Sequence, residues 1–196
     1  MECPGFQLES GASIQPGDFI PGVSRPNGAR QYMALKVFKL VYYGFNSDPE
    51  LIGRLPKSIF SGLAYKAIAL WFSGMAINNA TFQPTPALPP VGSGYMAGHG
   101  SNMAASMSNI QLIDEQGQAL SMAKHFIGFS SNPKLYSYTA IVDDQFFYGG
   151  PGRTTSSDAT SSTTAIYSLL AFYDEAFGDM QRIIASGSKS GEQIVY

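Results

Sequence analysis

The residues best able to do chemistry in this chain are few, and their spacing suits no known constellation. His99 lies in Gly98-His99-Gly100-Ser101 and His125 in a run read as a strand. Neither has a ligand-spaced partner of the H-x-x-x-H kind, so the two read as a loop histidine and a hydrogen-bonded strand histidine. Asp143-Asp144 and Asp174-Glu175 are adjacent acids. Such pairs can in principle act as general acid and base or bind calcium, but they more often mark a strand end or a solvated helix face. A Ser-His-Asp site has no G-x-S-x-G elbow to start from. Ser188-Lys189-Ser190-Gly191 lacks the G-x-x-x-x-G-K-[ST] spacing of a phosphate loop. Cys3 is the single cysteine, which excludes an intramolecular disulfide and argues against a thiolate zinc site. Asn79-Ala80-Thr81 is a glycosylation sequon of a kind expected by chance in a chain this long. The sequence therefore predicts no catalytic residue, no cofactor and no metal ligand, and expects a protein that is not an enzyme.

The frame that would have to position any such residues is bounded by composition. The 196 residues suit one domain with long loops. Only 13% are Asp, Glu, Lys or Arg, about half the usual share, and another 13% are aromatic. Two kinds of protein have such a surface: those that bury it against copies of themselves, and secreted binding modules with neutral polar faces. The net charge is −2 and the 12 basic residues are scattered, so direct nucleic-acid binding is not expected. No apolar run reaches the roughly 20 residues of a spanning helix. The start, Met1-Glu-Cys-Pro-Gly5, has neither a basic nor an apolar leader region.

Residues 1–31, with four prolines and five glycines, read as an extended amino-terminal arm. Phe6, Leu8, Ile14, Phe19, Ile20 and Val23 are too apolar for a solvated tail, so the arm is expected to dock on a neighbouring copy. On that reading, deletion of residues 1–24 leaves the fold intact and weakens assembly. Residues 32–196 then form a single β-rich domain. Ala34 to Gly44 is apolar on both parities and is expected to be a central strand. Asp48-Pro49-Glu50 has the chemistry of a helix start. From Ser58 to Phe82 the signals are mixed, read as a helical turn to about Ala64 and strands beyond it, at Ala67–Phe72 and Ala76–Phe82. The loop 83–109 holds no Asp, Glu, Lys or Arg but carries Tyr95, Met96, Met103 and Met107, and reads as an interface loop.

A hairpin is predicted for Ile110–Ile113 and Gln118–Phe126 around Asp114-Glu115-Gln116-Gly117. A strand is predicted over Leu135–Val142, with Gln145–Tyr148 as its continuation or partner, ended by Gly149-Gly150-Pro151-Gly152. Over 165–185, Ile166, Leu169, Leu170, Tyr173, Phe177, Met180 and Ile184 recur at helical spacing, so a helix is favoured over a strand from Thr164 to Tyr173. Glu192 to Tyr196 reads as an edge strand.

These features predict an all-β, single-domain, jelly-roll-like β-sandwich with one or two helices, the alternative being α+β. The function expected is structural: a self-assembling homo-oligomeric subunit of a viral capsid or other virion protein, in the virion and in contact with other virion proteins. The alternative is an extracellular carbohydrate-binding module or lectin, with tyrosines and Trp71 stacking on sugars. A hydrolase ranks third.

Overall fold

Short runs rich in β-branched and aromatic residues dominate this chain, and they fold as strands. The computed structural model describes residues 5–20, 22–37, 40–59, 69–73, 88–113, 116, 118–120, 126–153, 169–173 and 182–188. Its strands are β1 (Gln7–Leu8), β2 (Tyr32–Val37), β3 (Leu40–Phe45), β4 (Glu50–Arg54), β5 (Ala69–Ser73), β6 (Ala105–Ile113), β7 (Ala119–Leu120), β8 (Phe126–Phe129), β9 (Ser137–Tyr138), β10 (Phe146–Gly149), β11 (Leu169–Tyr173) and β12 (Arg182–Ser188). Nine of them form one antiparallel sheet in the order β1-β4-β3-β2-β12-β6-β10-β9, with β7 on β6. The other three form a second sheet, β5-β11-β8. The only helical segments among the described residues are short 3₁₀ turns at Lys57–Ile59 and Ala97–Asn102. The all-β class is found, and among the described residues no α-helix supports the α+β alternative.

Individual elements depart from expectation for identifiable reasons. The run Ala34–Gly44 is two strands, not one: β2 and β3 pair with Val37 opposite Val41 and Ala34 opposite Gly44. Both are interior to the sheet, so the apolar character that suggested a central strand is shared by a hairpin. Asp48-Pro49-Glu50 opens β4 rather than a helix. Ile52 is buried, and a Cβ on Gly53 would collide with the Phe6 ring, so packing decides against the local cap signal. The favoured helix over 165–185 is replaced, where described, by β11 and β12. β11 has neighbours on both edges, Leu169 facing Ser73 on one side and Phe129 on the other. Pairing on both edges satisfies the backbone groups of this strand, and periodicity alone cannot tell a short apolar strand from a buried helix.

Of the segment Ser58–Phe82, the first expected strand is found as β5, but residues 60–68 and the second expected strand, 76–82, lie outside the described set, as do 192–196. β6 starts at Ala105, shortening the expected loop, and its pairing with β7 sets Leu112 opposite Leu120 in the expected hairpin, but Phe126, expected on the returning strand, belongs to β8 of the second sheet.

The amino-terminal segment lies on the chain's own sheet. β1 extends the sheet edge along β4, with Gln7 opposite Arg54. Phe6, Ala12 and Ile14 pack on the buried cluster Val41, Tyr43 and Ile52. Removing residues 1–24 would therefore strip the cover from this domain's own core, whereas Phe19, at 91% exposure, covers nothing. A second cluster, Val91 and Tyr136 with Leu88, Leu135 and Tyr148 against it, lies at the β9–β10 end of the large sheet. There Gly128 of β8 lies against the Tyr138 ring of β9, bringing the small sheet into contact with the large one.

Candidate functional site

The β9–β10 end gathers the uncharged loop and the glycine-rich segment that the sequence singled out. Val91 and Gly150 exchange backbone hydrogen bonds at 3.0 and 3.1 Å, and Leu88 and Arg153 exchange two at 2.8 Å. Close approach demands the glycines. A Cβ on Gly149, whose φ is +147°, would stand 2.5 Å from the Tyr95 carbonyl oxygen, and one on Gly150 would collide with the Leu135 carbonyl. The fully buried Tyr136 donates its hydroxyl to the Pro89 carbonyl at 2.9 Å, and Ala97 N–H donates to Ser137 Oγ at 2.8 Å. The loop expected to meet another copy is thus bound backbone-first to its own domain, which satisfies its polar groups without charge.

His99 projects from the 3₁₀ turn, exposed, with its ring edge-on to Tyr95 at 5.6 Å between centroids. Asp143 and Asp144 are the two central residues of a tight turn in which Val142 and Gln145 exchange hydrogen bonds at 2.9 and 3.0 Å. Their φ values of 50° and 56° are the left-handed pair a mirror-image hairpin turn requires. The adjacent acids therefore mark a strand end, as expected, and Gln145–Tyr148 is the partner of the preceding strand. Cys3, Asn79–Thr81, His125, Asp174 and Glu175 lie outside the described residues, as do Lys189–Gly191. Among the described residues no acid is buried, and no group of three His, Cys, Asp or Glu could hold a metal. Tyr148 titrates well above the ordinary tyrosine range. Burial of its phenol raises its pKa to about 12, so it stays neutral well above physiological pH.

The feature sequence reasoning missed is a cleft where the arm meets the loop. Arg25-Pro26-Asn27-Gly28 forms a turn, Gly28 N–H donating to the Arg25 carbonyl at 3.0 Å and Arg25 N–H to the Ala29 carbonyl at 2.9 Å. Asn27 sits in the left-handed region at φ 52°. The turn is fastened to the 3₁₀ segment, with Asn27 N–H donating to the Asn102 carbonyl at 3.1 Å and Arg30 Nη2 to Asn102 Oδ1 at 2.9 Å. Between them opens a small, shallow cleft, lined among others by Arg25, Arg30, Ser93, Ser101, Asn102 and Met103. The Pro-Asn-Gly turn signal was legible; a partner 72 residues away in sequence was not.

Against known proteins, the model of the Neprosin family matches residues 1–151. No curated protein and no solved structure matches. The family groups prolyl-endopeptidase-like proteins of plants. This overturns four expectations: the viral capsid or virion subunit, the lectin alternative, the protein that is not an enzyme, and the location in a virion. The error lay in assigning scarce charge and an apolar arm to contacts between copies. Phe6, Ile14 and the loop from Leu88 spend their apolar and backbone groups on the chain's own sheets.

Proposed function

The chain belongs to the Neprosin family, and we propose that it is a peptidase-like domain that binds extended, proline-containing peptides and hydrolyses them at proline. The observation that carries this reading is the family match over residues 1–151. Peptides of this class suit an open surface. Proline lacks an N–H and favours an extended, unpaired backbone, so such a substrate is recognised by clefts and aromatic faces more than by strand pairing. The cleft between the Arg25 turn and the Ser101–Met103 segment, with Tyr95 and His99 on the same loop, offers that kind of surface. Hydrolysis needs a group that activates water and one that protonates the leaving nitrogen. No described acid lines this cleft, so this reading gives the cleft the binding work and places the chemical step elsewhere in the chain. An extracellular location fits the family and the neutral polar composition. Stacking of the two sheets as a sandwich is supported by the Gly128–Tyr138 contact; the run of sequential neighbours β4-β3-β2 lends no support to a jelly-roll order.

The test is to incubate the purified chain with a denatured proline-rich protein over a wide pH range and map new termini by mass spectrometry. The expected result is a ladder of ends at proline that disappears when the substrate prolines are replaced by alanine. No cleavage, or cleavage indifferent to proline, overturns the reading.

A further inference from the structure

From the cleft between the arm and the loop, we infer that Arg25 and Arg30 form an anion subsite that takes a carboxylate of the bound peptide, an acidic side chain or a free carboxyl terminus. Naming peptide as the source of the carboxylate rests on the peptidase reading; the anion subsite itself does not.

The observations are independent of the family match. In a chain where only 13% of residues are charged, two of the arginines line one small cleft, and no acid among the described residues lines it with them. Two like charges on one cleft repel each other and retain unused donors unless an anion joins them. Arg30 gives Nη2 to Asn102 Oδ1 at 2.9 Å, which fixes its guanidinium and leaves further N–H groups free of that bond. Arg25 is exposed, and its guanidinium enters no ion pair among the described residues.

The backbone that carries both is set in place before any ligand arrives. The Arg25–Gly28 turn is closed by its own hydrogen bonds, and Asn27 ties it to the Asn102 carbonyl at 3.1 Å. Asn27 Nδ2 also meets Met103 Sδ at 3.1 Å. Below, Ser24 Oγ donates to the Gln31 carbonyl at 3.0 Å and accepts Gln31 N–H at 2.8 Å, closing the base of the loop that presents both arginines. Ser24 is thereby occupied, whereas both arginines line the cleft with N–H groups to offer an incoming oxygen. A guanidinium fork matches the two oxygens of a carboxylate, and such charge-assisted pairs are the strong class of hydrogen bond.

The experiment measures binding, so it does not depend on turnover. Two fluorescent peptides of the same proline-containing sequence, one with Glu and one with Gln flanking the proline and both amidated at the carboxyl terminus, are titrated into the full chain at low salt. The expected result is about tenfold tighter binding of the Glu peptide, the size of a charge-assisted hydrogen bond. Restoring the free carboxylate to the Gln peptide should recover part of the gain, and raised salt should shrink it. In Arg25→Gln the preference falls to about threefold or less and in R25Q/R30Q it vanishes. Arg25→Lys keeps a reduced preference, because the charge stays and the fork is lost. Melting curves for R25Q should match the parent chain, since Arg25 is exposed. Inorganic phosphate that displaces the Glu peptide at micromolar concentration would reassign the subsite to phosphate and overturn the carboxylate assignment. Equal binding of Glu and Gln peptides by the parent chain, or a preference that survives R25Q/R30Q, overturns the subsite altogether. Selective binding without any cleavage at proline would instead count against the peptidase reading alone.

Discussion

Replacing Tyr136 with Phe removes a single oxygen from the centre of the β9–β10 end and leaves the ring in place. That oxygen donates to the Pro89 carbonyl at 2.9 Å from a side chain with 0% exposure. A net hydrogen bond of this kind contributes about 1 kcal/mol, and leaving its acceptor partly desolvated raises the cost to about 1–2 kcal/mol. For a chain of this size, that corresponds to a fall in Tm of roughly 2–8 °C. Truncation to Ala also opens a ring-sized cavity beside Val91 and Leu135, at a cost of about 3–5 kcal/mol, so the two variants separate the hydroxyl from the packing. Urea unfolding of Y136F should shift its midpoint without changing the slope.

The loss should also be local. Val91 and Gly150, whose mutual hydrogen bonds are 3.0 and 3.1 Å, lie on the same tie, and their amides should exchange about fivefold to thirtyfold faster by hydrogen exchange. A Y136F protein that melts within about 1 °C of the parent, with unchanged exchange at Val91 and Gly150, would refute the claim that this hydroxyl fastens the loop to the sheet.

Stability at high pH should report the buried Tyr148 phenol. Its pKa rises from 10.0 to about 12 on folding, so its contribution is complete below pH 10 and is lost as pH climbs through 12, at most about 2–3 kcal/mol. Chemical denaturation at stepped pH should show that decline, and Tyr148→Phe should flatten it; an unchanged slope in Y148F would mean another group is responsible. The double variant Asp143→Asn, Asp144→Gly relieves a left-handed backbone at φ 50° and 56° and should raise stability by about 1 kcal/mol, read by urea unfolding, with cleavage at proline unchanged. Loss of cleavage would show that the adjacent acids take part in chemistry rather than in turning the chain.

Local chemistry was enough to mark several features of this protein. Short apolar runs parted by Gly, Pro and Asn identified an all-β chain, because a strand's preferences sit in its own side chains. The Ile110–Ile113 hairpin arm and the break at Gly149 were legible for the same reason, whereas Gln145–Tyr148 was left open as continuation or partner and the structure makes it the partner. That adjacent acids mark a strand end was legible too, although their left-handed pair of φ angles was not. Family membership lies in residues 1–151, and the reading for catalytic motifs passed over it.

Tertiary structure decided the rest. Leu169–Tyr173 has a spacing that serves helix or strand, and only β5 and β8 on either side chose strand. Asp48-Pro49-Glu50 carries a helix start, but the burial of Ile52 outweighs a cap worth about 1 kcal/mol. The arm's Phe6 and Ile14 are apolar enough to demand cover, yet hydrophobic burial has no direction, so composition could not say whether the cover was a neighbour or the chain itself. Arg25 and Arg30 form a cleft with residues 93–105 only because Asn27 and Asn102 meet across that distance in sequence, a contact written in no local pattern.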